Sequence, residues 1–132
     1  MNFKETKLKG NYLIDNDINK DERGFFIRTF CQKKFQNFLK NKKITQINRS
    51  HTKIKGTVRG LHFQYPPFAE TKIVSCLKGK VWDVAVDIRM NSPTFLKHYA
   101  VTLSEEKSQS FLIPEGFAHG FQTLSDDCEM LY

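Results

Sequence analysis

The alternation of apolar and polar positions predicts a chain made mostly of strands. Short runs rich in β-branched and aromatic residues recur over 25–30, 44–51, 57–64, 71–77, 80–89, 96–103 and 110–113, and 128–132 reads as the start of another. Glycines and prolines stand between these runs as punctuation, and Asp21-Glu22-Arg23-Gly24 reads as a turn. Only residues 31–40 carry a helical pattern, with Phe35, Phe38 and Leu39 spaced to share one face. Short antiparallel strands with one helix point to an all-β sandwich or barrel.

Two strands carry more than their period. In Val81–Arg89 one face holds Trp82, Val84, Val86 and Ile88, and the pattern predicts this face as core. The other face mixes Val81, Asp83, Ala85, Asp87 and Arg89, which suits a wet cavity or solvent. In 71–77 Lys72 shares a face with Val74 and Cys76, opposite Thr71, Ile73, Ser75 and Leu77. A lysine there either snorkels to water or reaches into a polar site.

Composition narrows the class. A chain of 132 residues with 39% apolar and 27% charged residues fits one soluble domain and argues against disorder. No apolar run approaches a membrane span, and no apolar segment follows Met1 as a secretory signal would. Three cysteines without a CxxC pair argue against a disulfide framework and for a reducing cytoplasm. The net charge of +7 favours anionic partners. The cluster Lys33, Lys34, Lys40, Lys42 and Lys43 reads as the solvated face of the helix, and no basic, aromatic-interleaved pattern of a nucleic-acid binder is present.

Candidate chemistry concentrates in Gly56–Gln64, in Ile113–Phe121 and at Tyr132. Each of the first two segments sets a histidine, His62 or His119, beside glycines that permit close approach of backbone or ligand. His62, Glu70 and His119 could form a two-histidine, one-carboxylate metal set. Gln64 stands where a metal cupin usually carries a further histidine, so no metal is expected.

Arg59-Gly60-Leu61-His62-Phe63-Gln64, then Pro66-Pro67, Asp83 to Arg89, Ser92-Pro93-Thr94 and Pro114 to Phe121 together resemble the dTDP-4-dehydrorhamnose 3,5-epimerase family, from Asp21 to Tyr132. The resemblance implies a metal-independent cupin, a double-stranded β-helix or jelly roll, acting as a homodimer without a cofactor. It implies epimerisation of a nucleoside-diphosphate 4-keto-6-deoxy sugar, at C3 and C5 or at C3 alone. An inactive nucleotide-sugar binding fragment and a metal-dependent cupin are the other readings.

A hydrogen next to a ketone becomes removable only if the enolate oxygen is stabilised, so such an enzyme needs a base, a cation or donor, and an acid on the opposite face. His62 suits the base, since imidazole titrates near pH 7. By resemblance, Lys72 stabilises the enolate and Tyr132 reprotonates. Arg23 and Arg59 match positions that hold the diphosphate, and arginine's planar fork suits that task. Gln46 and Asn48 match a pair that binds diphosphate or nucleoside, Phe26 matches a nucleoside contact, and His119 matches a further site position. Asp83 either orients a histidine or is structural. Strict alternation would set Arg59 and His62 on opposite faces, so a bulge is expected at Gly60.

Family chains continue well beyond position 132, adding strands and an aspartate that pairs with the catalytic histidine. One cupin domain over 1–132 without that tail is therefore expected, with an open last sheet edge. Arg28 stands where many members carry glutamate, which leaves the nucleobase open, and Phe68 replaces a common histidine.

Overall fold

Strands that alternate apolar and polar residues bury one face only when a second layer covers it, and this chain supplies two sheets that cover each other. The computed structural model describes residues 1–39 and 42–132. Its elements are β1 (Asn2–Glu5), β2 (Tyr12–Asp15), β3 (Ile18–Asp21), β4 (Gly24–Ile27), α1 (Gln32–Leu39), β5 (Arg49–Thr52) and β6 (Val58–His62). There follow β7 (Lys72–Lys78), β8 (Lys80–Asp87), β9 (His98–Ser104), β10 (Gln109–Ile113), β11 (Phe117–Thr123) and β12 (Cys128–Leu131).

A six-stranded sheet runs β1-β2-β10-β7-β12-β5, a four-stranded sheet runs β6-β11-β8-β9, and β3 and β4 form a separate hairpin. From β5 onward the chain crosses between the two large sheets at every step except β8 to β9, as in the jelly roll the sequence implied. The layer between them is filled by Val74, Cys76, Phe111, Ile113, Cys128 and Met130 from one sheet and Val81, Ala85, Leu103, Phe117 and Phe121 from the other. Helix α1 packs Phe35 onto Ile14 and Leu112, a small second core on the back of the six-stranded sheet. The three cysteines are free thiols, and burial, with Cys128 close by, pushes the Cys76 thiol up to about 12.

Several expectations are corrected. Strands β1, β2, β3 and β11 were not legible from the pattern. The strand expected over 44–51 is ordered as a ladder only from Arg49, and the one over 25–30 ends at Ile27. The helix spans Gln32–Leu39, and the expected last residue, Lys40, lies outside the described residues. Strand β12 is no open edge, because it pairs with β5 on one side and β7 on the other.

The faces of β8 are the reverse of those expected. Val81, Asp83, Ala85 and Asp87 are buried, whereas Trp82 is 45% exposed and Val84 and Val86 are only half-buried. Two carboxylates can lie inside because each is fully partnered. The Asp87 carboxylate accepts from Arg89 Nε at 2.8 Å, Arg89 Nη2 at 2.7 Å, Ser92 Oγ at 2.6 Å and Thr94 Oγ1 at 2.6 Å. Arg89 also covers the Phe117 ring and donates to the Lys9 carbonyl, joining the β8 end, β11 and the β1–β2 turn.

Burial pushes the Asp87 carboxyl up, but the hydrogen bonds from Arg89, Ser92 and Thr94 outweigh it and hold the group well below the usual carboxylate range. Its stabilising effect is therefore complete above the unfolded-state value of about 3.9 and is lost as pH falls toward the folded one. Asp87→Ala is expected to cost about 3 kcal/mol at pH 7, because it strands the cation that the carboxylate neutralises. In urea titrations the gap between wild type and variant should narrow below about pH 4. A gap that stays constant down to pH 2 would show that Asp87 acts through packing alone.

Candidate active site

The site is built where β6 meets β11. In that pairing Phe121 faces Arg59 and His119 faces His62, so three steps along β6 stand opposite two along β11. The extra residue is the bulge expected at Gly60, which has φ +115°. Paired residues in an antiparallel ladder share a face. His119 and Phe121 point inward, and the bulge turns both Arg59 and His62 the same way.

Arg59 then reaches the opposite sheet, where its Nε donates to Thr52 Oγ1 at 3.0 Å and its Nη2 to the His51 carbonyl at 3.3 Å. The register of β5 and β12 sets Thr52 opposite Cys128 and Ser50 opposite Met130 on the inner face. The ladder continues one pair further: Asn48 N–H donates to the Tyr132 carbonyl at 2.7 Å, and Tyr132 N–H to Asn48 at 3.0 Å. By the same alternation Tyr132 and Asn48 open onto the side that Arg59 and His62 face.

Deeper between the sheets, the buried Asp83 carboxylate holds His119 Nε2 with both oxygens, at 2.9 and 3.0 Å. Burial pushes the Asp83 carboxyl up, opposed by His119 and by the Lys72 charge. Asp83 is thus hydrogen-bonded to a histidine, one of the two situations left open by the sequence. Lys72 is not a snorkelling surface lysine. It lines a cleft with His119, Gln64 and Phe63, and its Nζ is 3.0 Å from Glu70 Oε1.

The rim of this cleft is tied together by Lys42. Its Nζ contacts Glu115 and lies 3.2 Å from Thr71 Oγ1, so the extended stretch carrying Gln46 and Asn48 is fastened beside β7 and the 114–117 turn. Gln46 itself is exposed and lies outside the ladder.

Not every expected residue is brought here. Arg23 stays on the hairpin tip, paired with Asp21 at 2.6 Å, and Phe26 is 63% exposed on the same hairpin, which joins neither large sheet. Phe26 and Arg28 instead line a second cleft with Lys34 and Asn19. His62 is exposed, and no hydrogen-bond partner of its ring is found among the described residues. His62, Glu70 and His119 do not assemble a metal cluster among those residues: Glu70 is engaged by Lys72 and His119 by Asp83.

Sequence reasoning passed over three groups. Glu70 was weighed only as a metal ligand, although it stands two positions before Lys72, just ahead of β7. Lys42 was assigned to the basic cluster. Ser50 carried no signal, yet its buried Oγ, between Asn48 and Thr52, has no hydrogen-bond partner among the described residues.

Comparison with known proteins finds matches along nearly the whole chain. The family described as dTDP-4-dehydrorhamnose 3,5-epimerase matches residues 5–132. A protein of that name from Shigella flexneri is 45% identical over 133 residues, which cover all of this chain and 73% of that relative. The dTDP-6-deoxy-D-glucose-3,5-epimerase of Legionella pneumophila, solved with dTDP-4-keto-L-rhamnose, is 42% identical with a TM-score of 0.92, covering 98% of this chain and 69% of that one. A 3′-monoepimerase from Streptomyces bikiniensis, solved with dTDP-quinovose, is 26% identical with a TM-score of 0.89, covering 96% and 64% of the respective chains.

Proposed function

The chain belongs to the dTDP-4-dehydrorhamnose 3,5-epimerase family, and from that premise we propose that it is an isomerase of the same reaction. Its substrate is dTDP-4-dehydro-6-deoxyglucose, and the product feeds deoxysugar and polysaccharide synthesis of the rhamnose type. The observation that carries this reading is the cleft shared by Lys72 and His119, with Asp83 behind His119 and His62 paired opposite it on the neighbouring strand.

His62 takes the proton from the carbon beside the C4 ketone as the C–H bond breaks. The electron pair moves into a new carbon–carbon double bond, and the C4 oxygen becomes an enolate. The Lys72 ammonium stabilises that oxygen, worth several kcal/mol in a site of this kind. The Tyr132 phenol then delivers a proton to the opposite face, and the ketone re-forms with the configuration inverted. Protons leave and return with no net redox change, so the steps call for no redox cofactor and no metal.

His119, with its Nε2 fixed by Asp83, supports the reacting end. Arg59, Asn48 and Gln46 take the diphosphate and nucleoside. Arg23 and Phe26 bind there as well, brought by the hairpin of a second protomer in a homodimer. The chain works as one cupin domain in the cytoplasm, with no nucleic-acid or membrane partner; among the described residues no helix is long and apolar enough to cross a membrane.

The test is deuterium incorporation into dTDP-4-keto-6-deoxyglucose in D₂O, followed by NMR. Label at both C3 and C5 is the expected result. Label at C3 alone would make the protein a mono-epimerase. Binding of thymidine diphosphate with no label would reduce it to a nucleotide-sugar binder.

A further inference from the structure

We propose that Glu70 is a positioning residue that holds the Lys72 ammonium inside the cleft, aimed at the substrate's ketone oxygen; this rests on the function proposed above. A lysine ammonium sits on a flexible four-carbon stem, and at a half-open site its ordinary course is to swing out to water. Lys72 does not, and the contact that holds it is Glu70 Oε1 at 3.0 Å. Both side chains are mostly shielded, with 20% of Lys72 and 29% of Glu70 exposed.

The other carboxylate near Lys72 is already committed. Asp83 gives both its oxygens to His119, so it acts on Lys72 only as a charge through space. Among the described residues Glu70 is the group that contacts Nζ. It stands two positions before Lys72, in the segment just ahead of β7, so the pair is local in the chain and needs no other element to form. An ammonium carries three N–H groups, and the ion pair with Glu70 is its single contact among the described residues, so N–H groups remain for an oxygen arriving in the cleft. What Glu70 contributes is an acceptor at a fixed reach, which glutamine also supplies and leucine does not.

The variants are therefore Glu70→Gln and Glu70→Leu, with Glu70→Ala read in parallel as a removal that adds no apolar bulk. For Glu70→Leu and Glu70→Ala, kcat for deuterium exchange is expected to fall about thirtyfold with KM changed less than about threefold, the pattern of a group that matters only at the transition state. Glu70→Gln is expected to keep kcat within about threefold of wild type. Wild-type kcat in the leucine and alanine variants, a loss confined to KM, or a glutamine variant no better than leucine would each overturn the proposal.

A second readout does not depend on the reaction. With lysine labelled at ¹³Cε, the Lys72 signal is assigned by its disappearance in Lys72→Met. Its two Cε protons should resonate apart in wild type and Glu70→Gln, as in a held side chain, and merge in Glu70→Leu. Merged signals in wild type, or separate ones in Glu70→Leu, would overturn the anchoring role. Wild-type protein that exchanges no deuterium would instead overturn the proposed function, and the proton splitting would still decide whether Glu70 holds Lys72.

Discussion

Replacing His62 with alanine is expected to lower deuterium exchange into the 4-keto sugar by about 10²- to 10⁴-fold, the range for loss of a general base. Affinity for thymidine diphosphate should stay within about threefold, because the diphosphate grip falls to other side chains. The structure motivates this separation. His62 ends β6 and faces the site mouth, whereas Arg59, three residues earlier, reaches Thr52 and His51 on the opposite sheet. Isothermal titration with thymidine diphosphate and NMR exchange on the same samples measure the two halves. Exchange persisting at the wild-type rate in His62→Ala would falsify His62 as the base. A parallel loss of nucleotide affinity would mean that the imidazole serves binding.

Gly60→Ala is expected to be the most damaging single methyl in the molecule. A Cβ at position 60 would lie 2.6 Å from Gly120 Cα and 2.8 Å from the His119 carbonyl oxygen, both backbone atoms that cannot rotate away. The φ of +115° is also one that residues with a side chain rarely adopt. The strands must part or the bulge must vanish. The expected cost is about 3 kcal/mol, with a fall in Tm of about 10 °C.

Gly56→Ala is the control. Its φ of +84° carries a similar backbone penalty, but nothing lies within 4 Å of its added methyl, so about 1 kcal/mol is expected. The difference isolates the strand contact. Exchange activity of folded Gly60→Ala should fall further than its stability explains, because without the bulge Arg59 and His62 face apart. A thermal melt and an exchange assay of both variants decide this; equal melts for the two would remove the contact argument.

The same bulge marks how far the sequence could be read. An arginine and a histidine three apart on one strand demanded a distortion, and the glycine between them said where. The alternating stretch 80–89 and the apolar run 110–113 gave their strands within a residue or two. Strands β1 and β3 hold a single apolar residue each, so no run marks them, and β11 was hidden because its glycine and histidine read as site chemistry.

The reversed faces of β8 failed for a different reason. Alternation assigns burial by polarity, but Asp83 and Asp87 are buried because His119, Arg89, Ser92 and Thr94 neutralise them. His119 lies 36 positions from Asp83, beyond any window along the chain, whereas the partners of Asp87 stand 2 to 7 positions on, past the end of the strand, where alternation does not weigh them. Of the site, the residues on the large sheets were legible from motifs. Arg23 and Phe26 were legible as residues, yet their place on a detached hairpin was not.

Among the described residues strand β6 lies at the margin of its sheet, paired along one side only, and all five of its residues are exposed. Lifting it away breaks one ladder and uncovers little of the core. Such an element opens at a free energy well below that of global unfolding. His62 and Arg59 therefore ride on a segment that can come and go while β8 and β10 stay folded. A ligand bridging Arg59 and His62 to the opposite sheet closes that fluctuation, so part of its binding energy is spent as local folding. Affinity at this site then becomes a property of the strand's opening equilibrium as well as of the contacts it makes.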